Sequence, residues 1–216
     1  MSDDRGQTPA VERQRGSDPG CRPDRRTGVV VMAYGTPASP DDVEDYYTHI
    51  RRGRPPSPAE LDDLRRRYDA LGGTSTMAAR TAAQVAAIRA ALEERAPGRF
   101  VVELGQKHAA PFVEDAAETL GDAGIDEVVG LVLAPHHSAA SVGAYQDRLA
   151  EAVGGRGGRV KAIDRWSDEP AWLDFTAHAV TDALVEMPAA TKVLFTAHSL
   201  PERLLVGDGY PAELAA

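Results

Sequence analysis

The sequence predicts an α/β fold with a mostly parallel sheet and helices on both of its faces. Three observations carry that expectation. Short, continuous apolar runs recur along the chain, the first being Val29-Val30-Val31-Met32-Ala33, and such runs suit strands buried on both faces. Longer stretches with helical periodicity lie between them. Punctuation separates the two kinds, with Ser-Pro pairs where helices open and Gly-Gly or Pro-Gly pairs where they close.

The elements follow in order. Residues 1–27 hold Gly, Pro, Ser, Asp and Arg, with Val11 nearly alone as a large apolar side chain. Such a segment cannot offset the entropy of ordering, so a disordered tail is expected there. A strand over 28–33 then ends on Tyr34, ahead of Gly35-Thr36-Pro37. Ser39-Pro40-Asp41-Asp42 opens a helix, continued by Val43, Tyr46, Tyr47 and Ile50 at i, i+3, i+4, i+7. Ser57-Pro58-Ala59-Glu60 is a capping box for a second helix, which Gly72-Gly73 stops. An Ala-rich helix spans 77–95 and Pro97-Gly98 ends it.

Strand 100–104, helix 112–122, strand 127–133, helix 141–153, strand 159–163, helix 169–187 and strand 192–197 complete the alternation. The glycine-rich loop 154–158 follows a helix and precedes a strand, the reverse of a phosphate-binding loop, and reads as a plain turn. The expected organisation is a tail at 1–27, a first domain at 28–165 with a helical insertion at 39–95, and an incomplete second domain at 166–216.

Composition narrows the function classes. The chain has 216 residues and a net charge of -9, with 24 Lys and Arg against 33 Asp and Glu. That balance argues against general nucleic-acid binding. No apolar stretch reaches the roughly 18 residues of a membrane span, and no apolar segment follows the charged N-terminus as in a secretory signal. The one cysteine, Cys21, rules out an intrachain disulfide and a thiolate cluster. A cytoplasmic, monomeric protein without an integral membrane segment is expected.

Two strand ends carry the most chemistry. In open parallel sheets, ligands occupy the crevice beyond the carboxyl ends of the strands. Tyr34 and His198 each close an apolar run and so face that crevice. A phenolate can ligate iron, and a neutral imidazole can ligate a metal or accept a proton. The plainer alternatives are a Tyr capping the core and a structural His. Two basic clusters stand out in an acidic chain, His49-Ile50-Arg51-Arg52-Gly53-Arg54 and Arg65-Arg66-Arg67-Tyr68. Arginine forks suit a ligand with several carboxylates, although a helix face of this kind is more often simply solvated. Lys107-His108 and His136-His137 follow later strands and read as local structure, since no metal-ligand spacing accompanies them.

At these residues the chain resembles a known family. Met32-Ala33-Tyr34-Gly35-Thr36-Pro37 and Tyr46 through Arg54 look like a ferrochelatase of the Gram-positive or actinobacterial, coproporphyrin-using branch. Arg67 through Ser75, Leu133 through Ser138 with Tyr145, and Thr196 through Glu202 with Gly207 through Pro211 are similar to further family blocks, in the family's order. The resemblance implies insertion of Fe(II) into coproporphyrin III for haem biosynthesis, between two similar Rossmann-like, chelatase-type domains. It implies that His198 binds iron or takes pyrrole protons. It implies that Tyr34 lies over the opposite macrocycle face and ligates iron in the product. Arg51, Arg67, Tyr68, Ser75 and Tyr145 fall at porphyrin-contacting positions. Iron is then a substrate, and no resident prosthetic group is implied.

Three departures accompany the resemblance. Relatives continue for roughly another hundred residues, with an acidic partner for the histidine and the rest of the second domain. The spacing from Pro201 to Gly207-Asp208 is one residue short, with Val206 where a polar residue is usual. No cysteine lies in 137–145, so the iron–sulfur cluster of some relatives is not expected. A protoporphyrin or cobalt-type chelatase, and an inactive tetrapyrrole-binding fragment, are the competing readings.

Overall fold

The computed structural model describes residues 25–215. At its centre lies β1, Thr27–Ala33, with β2, Phe100–Gln106, along one side. β3, Glu127–Val132, pairs along the other side, and β4, Arg159–Ile163, extends the sheet beyond β3. The order is β2-β1-β3-β4 and every pairing is parallel. Val31 sits opposite Leu104 on one neighbour and Leu131 on the other.

The alternation of β1 explains its apolar sequence. Val30 and Met32 pack on one face against Val113, Ala116, Ala117 and Leu120 of α4, Val113–Asp122, and Tyr145, Leu149 and Val153 of α5, Ala144–Gly154. Val29 and Val31 pack on the other face with Val102 and with Val85 of α3, Met77–Arg95. A strand flanked by helices on both faces must be apolar along its buried length, and β1 is so from Val29 to Ala33. The crossover through α3 leads to β2 on one side of β1. The crossover through α4, on the opposite face, returns past β1 to β3, as right-handed connections require when the direction reverses.

The insertion forms as the sequence predicts. A 3-10 turn, Pro40–Asp42, precedes α1, Val43–Ile50. α2, Pro58–Ala70, starts with the expected capping box, in which Glu60 Oε2 accepts from the Ser57 N–H at 2.8 Å and from its hydroxyl at 2.8 Å.

Several boundaries and one element differ from expectation. β1 begins at Thr27, whose N–H donates to the Arg99 carbonyl at 2.9 Å, so the edge of the expected tail is already sheet. The rest of that tail, residues 1–24 with Cys21, lies outside the described residues. A single π-helical turn, Ala139–Gly143, precedes α5 where a continuous helix was expected. α6 covers Pro170–Val185.

The expected strand at 192–197 does not form. Residues 191–200 carry no regular structure, and Leu194 and Phe195 are largely exposed. A strand is stabilised by its neighbours, and the described residues contain one sheet, whose strands all lie upstream. The expected start of a second similar domain is therefore not seen as a sheet. Residues 164–215 contribute α6, α7 at Glu202–Leu205 and α8 at Tyr210–Ala215. What is observed is one α/β domain with a helical extension.

Candidate functional site

Topology places the site. The strand order reverses between β1 and β3, and such a switch point opens a crevice at the carboxyl edge. Tyr34 leaves β1 at that edge. Hydrogen bonds beyond the strand ends hold it there: Lys107 N–H to the Ala33 carbonyl at 2.9 Å, His108 N–H to the Tyr34 carbonyl at 3.0 Å, and Leu133 N–H to the Met32 carbonyl at 2.8 Å. Gly35 then turns the chain at φ +90°, and a Cβ there would stand 3.0 Å from the Ala109 nitrogen. The ring of Tyr34 stays 44% exposed and tilts against His108 at 4.6 Å between centroids.

A tyrosine and cation cluster surrounds this ring. Tyr68 of α2 lies near enough to act on the ionisation of both Tyr34 and Tyr46. Tyr46 donates to the Gly35 carbonyl at 3.2 Å. Burial raises the pKa of Tyr34, with Tyr68 adding to the effect. Burial also raises that of Tyr145, with Tyr34 contributing. The Lys107 ammonium sits 4.8 Å from the Tyr145 ring centroid, and burial beside Arg148 lowers its pKa. His108 is pushed down to about 4 by burial first, then by His49, Lys107 and Arg148. Its Nδ1 lies 3.0 Å from that of His49, whose ring stacks on Phe112. An open cavity of about 540 Å³ adjoins these groups, lined by Tyr34, His49, Arg52, Lys107, His108 and Arg148 among others.

Of the residues singled out in the sequence, Tyr68 and Tyr145 lie near enough to Tyr34 for their charges to act on one another. Arg51 ends α1 with its guanidinium 2.8 Å from Glu60 Oε1 and 5.4 Å from the Tyr47 ring centroid. Arg67 is an exposed residue of α2 paired with Asp63. Ser75 accepts from the Met77 N–H at 3.1 Å in the turn before α3. His198 stands apart from them, exposed on the irregular segment 191–200. The rings touching Tyr34 and the cations beside it come from other residues. Among the described residues no group of three or more His, Cys, Asp or Glu side chains could hold a metal ion. No helix among them is long and apolar enough to cross a membrane.

The sequence did not mark the partners of Tyr34 as such. His108 read there as local structure and His49 as part of a basic cluster, yet they form one contact pair against Tyr34 and Phe112. Arg148 was not singled out. Its Nε and Nη2 hold Glu114 at 2.8 and 2.7 Å, and its Nη1 donates to the Lys107 carbonyl at 2.7 Å. Its position three residues beyond Tyr145 puts both on one helix face, which is a usable signal.

An open parallel sheet with helices on both faces and ionisable rings near its switch point defines a crevice-type α/β domain. The family model described as Ferrochelatase matches residues 26–216, and the chain belongs to the ferrochelatase family. The "Coproporphyrin III ferrochelatase" of Geobacillus kaustophilus (strain HTA426) is 43% identical over 197 residues, 88% of this chain and 62% of that protein. Its namesake in Halalkalibacterium halodurans is 43% identical over 195 residues, 88% of this chain and 63% of that protein. That of Geobacillus thermodenitrificans (strain NG80-2) is 44% identical over 197 residues, 88% of this chain and 62% of that protein. These relatives fit the coproporphyrin-using branch that the motifs suggested but are not actinobacterial. The chain spans less than two thirds of their length.

Proposed function

We propose that this chain carries part of an enzyme that inserts Fe(II) into coproporphyrin III. The observation that carries the reading is the half-exposed Tyr34 phenol, held at the switch point among Tyr68, Tyr145 and a cluster of cations. Insertion joins Fe(II) to four ring nitrogens and releases two pyrrole protons. It needs an oxygen or nitrogen ligand near the ring, a base, and a grip on the substrate. Tyr34 would lie over one macrocycle face, where its phenol oxygen could ligate the iron once it is inserted. His198 serves as base or iron ligand on the other. Arg51, Arg67, Tyr68, Ser75 and Tyr145 hold the macrocycle, with the guanidinium groups on its carboxylates. Iron is substrate here, no iron–sulfur cluster takes part, and the protein acts as a cytoplasmic monomer. Residues 166–216 are, on this reading, the opening portion of the second domain.

The names of the relatives favour coproporphyrin over protoporphyrin and over a cobalt-type chelatase's substrate, and the arginine-rich insertion suits a ligand with several carboxylates. The test is anaerobic mixing of purified protein with coproporphyrin III and Fe(II), followed by the porphyrin absorption bands. Metallation is expected. A band shift without metallation would instead mark a tetrapyrrole-binding fragment. His198→Ala is expected to slow insertion by about a hundredfold or more while leaving porphyrin binding in place. Unchanged turnover in that variant would remove His198 from the reaction.

A further inference from the structure

His198 lies on a segment with few attachments, and those it has are concentrated. After α7, Asp208 Oδ2 accepts from the Ser138 hydroxyl at 3.1 Å and from the Ala139 N–H at 2.9 Å. Its Oδ1 accepts from the Tyr210 N–H at 2.9 Å. One carboxylate thus ties the segment following His198 to the loop that follows β3. Five residues on, Glu213 Oε2 accepts from the His137 N–H at 2.9 Å. The same carboxylate lies 3.9 Å from His136 Nδ1 and 3.8 Å from an Arg165 nitrogen. Tyr210 packs edge-on against His136 at 6.4 Å between centroids.

The receiving loop is not incidental. Ser138 is fully buried, and its carbonyl accepts from the Gly143 N–H at 3.0 Å across the π-helical turn. That turn runs directly into α5 and Tyr145, whose ring carries Lys107 beside Tyr34. The same loop is fixed from behind by Trp166, whose N–H donates to the Pro135 carbonyl at 3.0 Å and whose indole N–H donates to the Val132 carbonyl at 2.9 Å. A single rigid loop therefore meets the tyrosine cluster at one end and the His198 segment at the other.

We infer that Asp208 and Glu213 are positioning residues that set the spacing between His198 and the tyrosine cluster by clamping the His198 segment to the loop after β3. The inference rests on the role proposed for His198. Charged acceptors suit the task. A carboxylate receiving several hydrogen bonds, two of them from backbone N–H groups, is fixed in direction as well as place, and each bond is stronger than a neutral one. The segment upstream of His198 is irregular and exposed, so the clamp restrains it from the downstream side.

The test compares the full chain with Asp208→Asn and Glu213→Gln. Amide hydrogen exchange over residues 198–210 is expected to accelerate about tenfold or more in Asp208→Asn, while β1 and β2 keep their protection. The His198 imidazole proton resonance, assigned by its loss in His198→Ala, is expected to shift when metal-free coproporphyrin III is added. Asp208→Asn should lose most of that shift at unchanged porphyrin affinity. Where the chain metallates, kcat should fall without a matching rise in KM, and Asp208→Asn should add little to the loss in His198→Ala. No shift of His198 in the unmodified chain sinks the role of His198 itself. A full shift and unchanged exchange in Asp208→Asn overturn the clamp alone.

Discussion

His108 shows what burial does to one side chain and to its neighbours. It packs on Tyr34, faces His49 across 3.0 Å, and lies near Lys107 and Arg148. Any proton it gained would be poorly solvated and among cations, which is why its pKa falls from 6.5 to about 4. Unfolding restores the ordinary value, so between those limits the unfolded chain binds the extra proton. Stability is then fully present above about pH 6.5 and is lost as pH falls through the window to about 4. Urea unfolding at pH 7 and pH 5 should show a drop in the unmodified chain and a smaller one in His108→Asn. Equal drops would mean that His108 does not carry the dependence. Glu60, whose pKa is lowered from 4.5 to about 2 chiefly by Ser57, loses its contribution as pH falls below about 4.5, so a comparison of pH 7 with pH 5 samples His108 ahead of it. The sequence marked Tyr34 because a strand end is local information. It did not mark His108 as a partner, because its contact with His49 joins two segments far apart in the chain.

At the scale of elements, β1 and residues 192–197 have nearly the same apolar character, yet only one is a strand. β1 finds β2 and β3 on its two sides and helices on both faces. Residues 192–197 find no paired neighbour among the described residues, and pairing is not written in a single strand's sequence. The helices were far more legible. The 77–95 helix and the 58–70 helix are bounded by local signals, a capping box at Ser57 and glycines at 72 and 73, and both form where those signals stand. The π-helical turn before α5 was not legible, since it depends on the anchoring of Ser138.

The packing of α4 on the sheet offers an element-scale test. Leu120 is fully buried, and Leu120→Ala should cost about 2–5 kcal/mol. Gly105 of β2 faces the Val113 Cα, and a Cβ there would stand 2.9 Å from it, too close without a backbone shift. Gly105→Ala should cost about 1–3 kcal/mol, read as a lower urea midpoint at constant m. A neutral result at Gly105 would show that α4 is not seated on β2 as described.

Across the whole molecule, the two halves differ in how completely they are packed. The sheet and α3 to α5 enclose two cores, whereas α6 leaves a groove of about 460 Å³ lined by Trp172, Phe175, Val180, Leu184, Met187 and Val193. Exposed apolar surface of this kind binds hydrophobic dyes. The chain should therefore enhance the fluorescence of such a dye while fully folded, and Phe175→Glu should reduce that signal without lowering the melting temperature. A signal unaffected by the substitution would place the dye elsewhere. The central claim is broader: the Tyr34 phenol and the His198 imidazole address opposite faces of one tetrapyrrole. The most direct measurement is a crystal structure of the chain with metal-free coproporphyrin III. The account predicts the macrocycle at the β1–β3 crevice, Tyr34 over one face, His198 over the other, and propionates on the arginines of the insertion. A macrocycle bound away from Tyr34, or with His198 remote from its nitrogens, would contradict it.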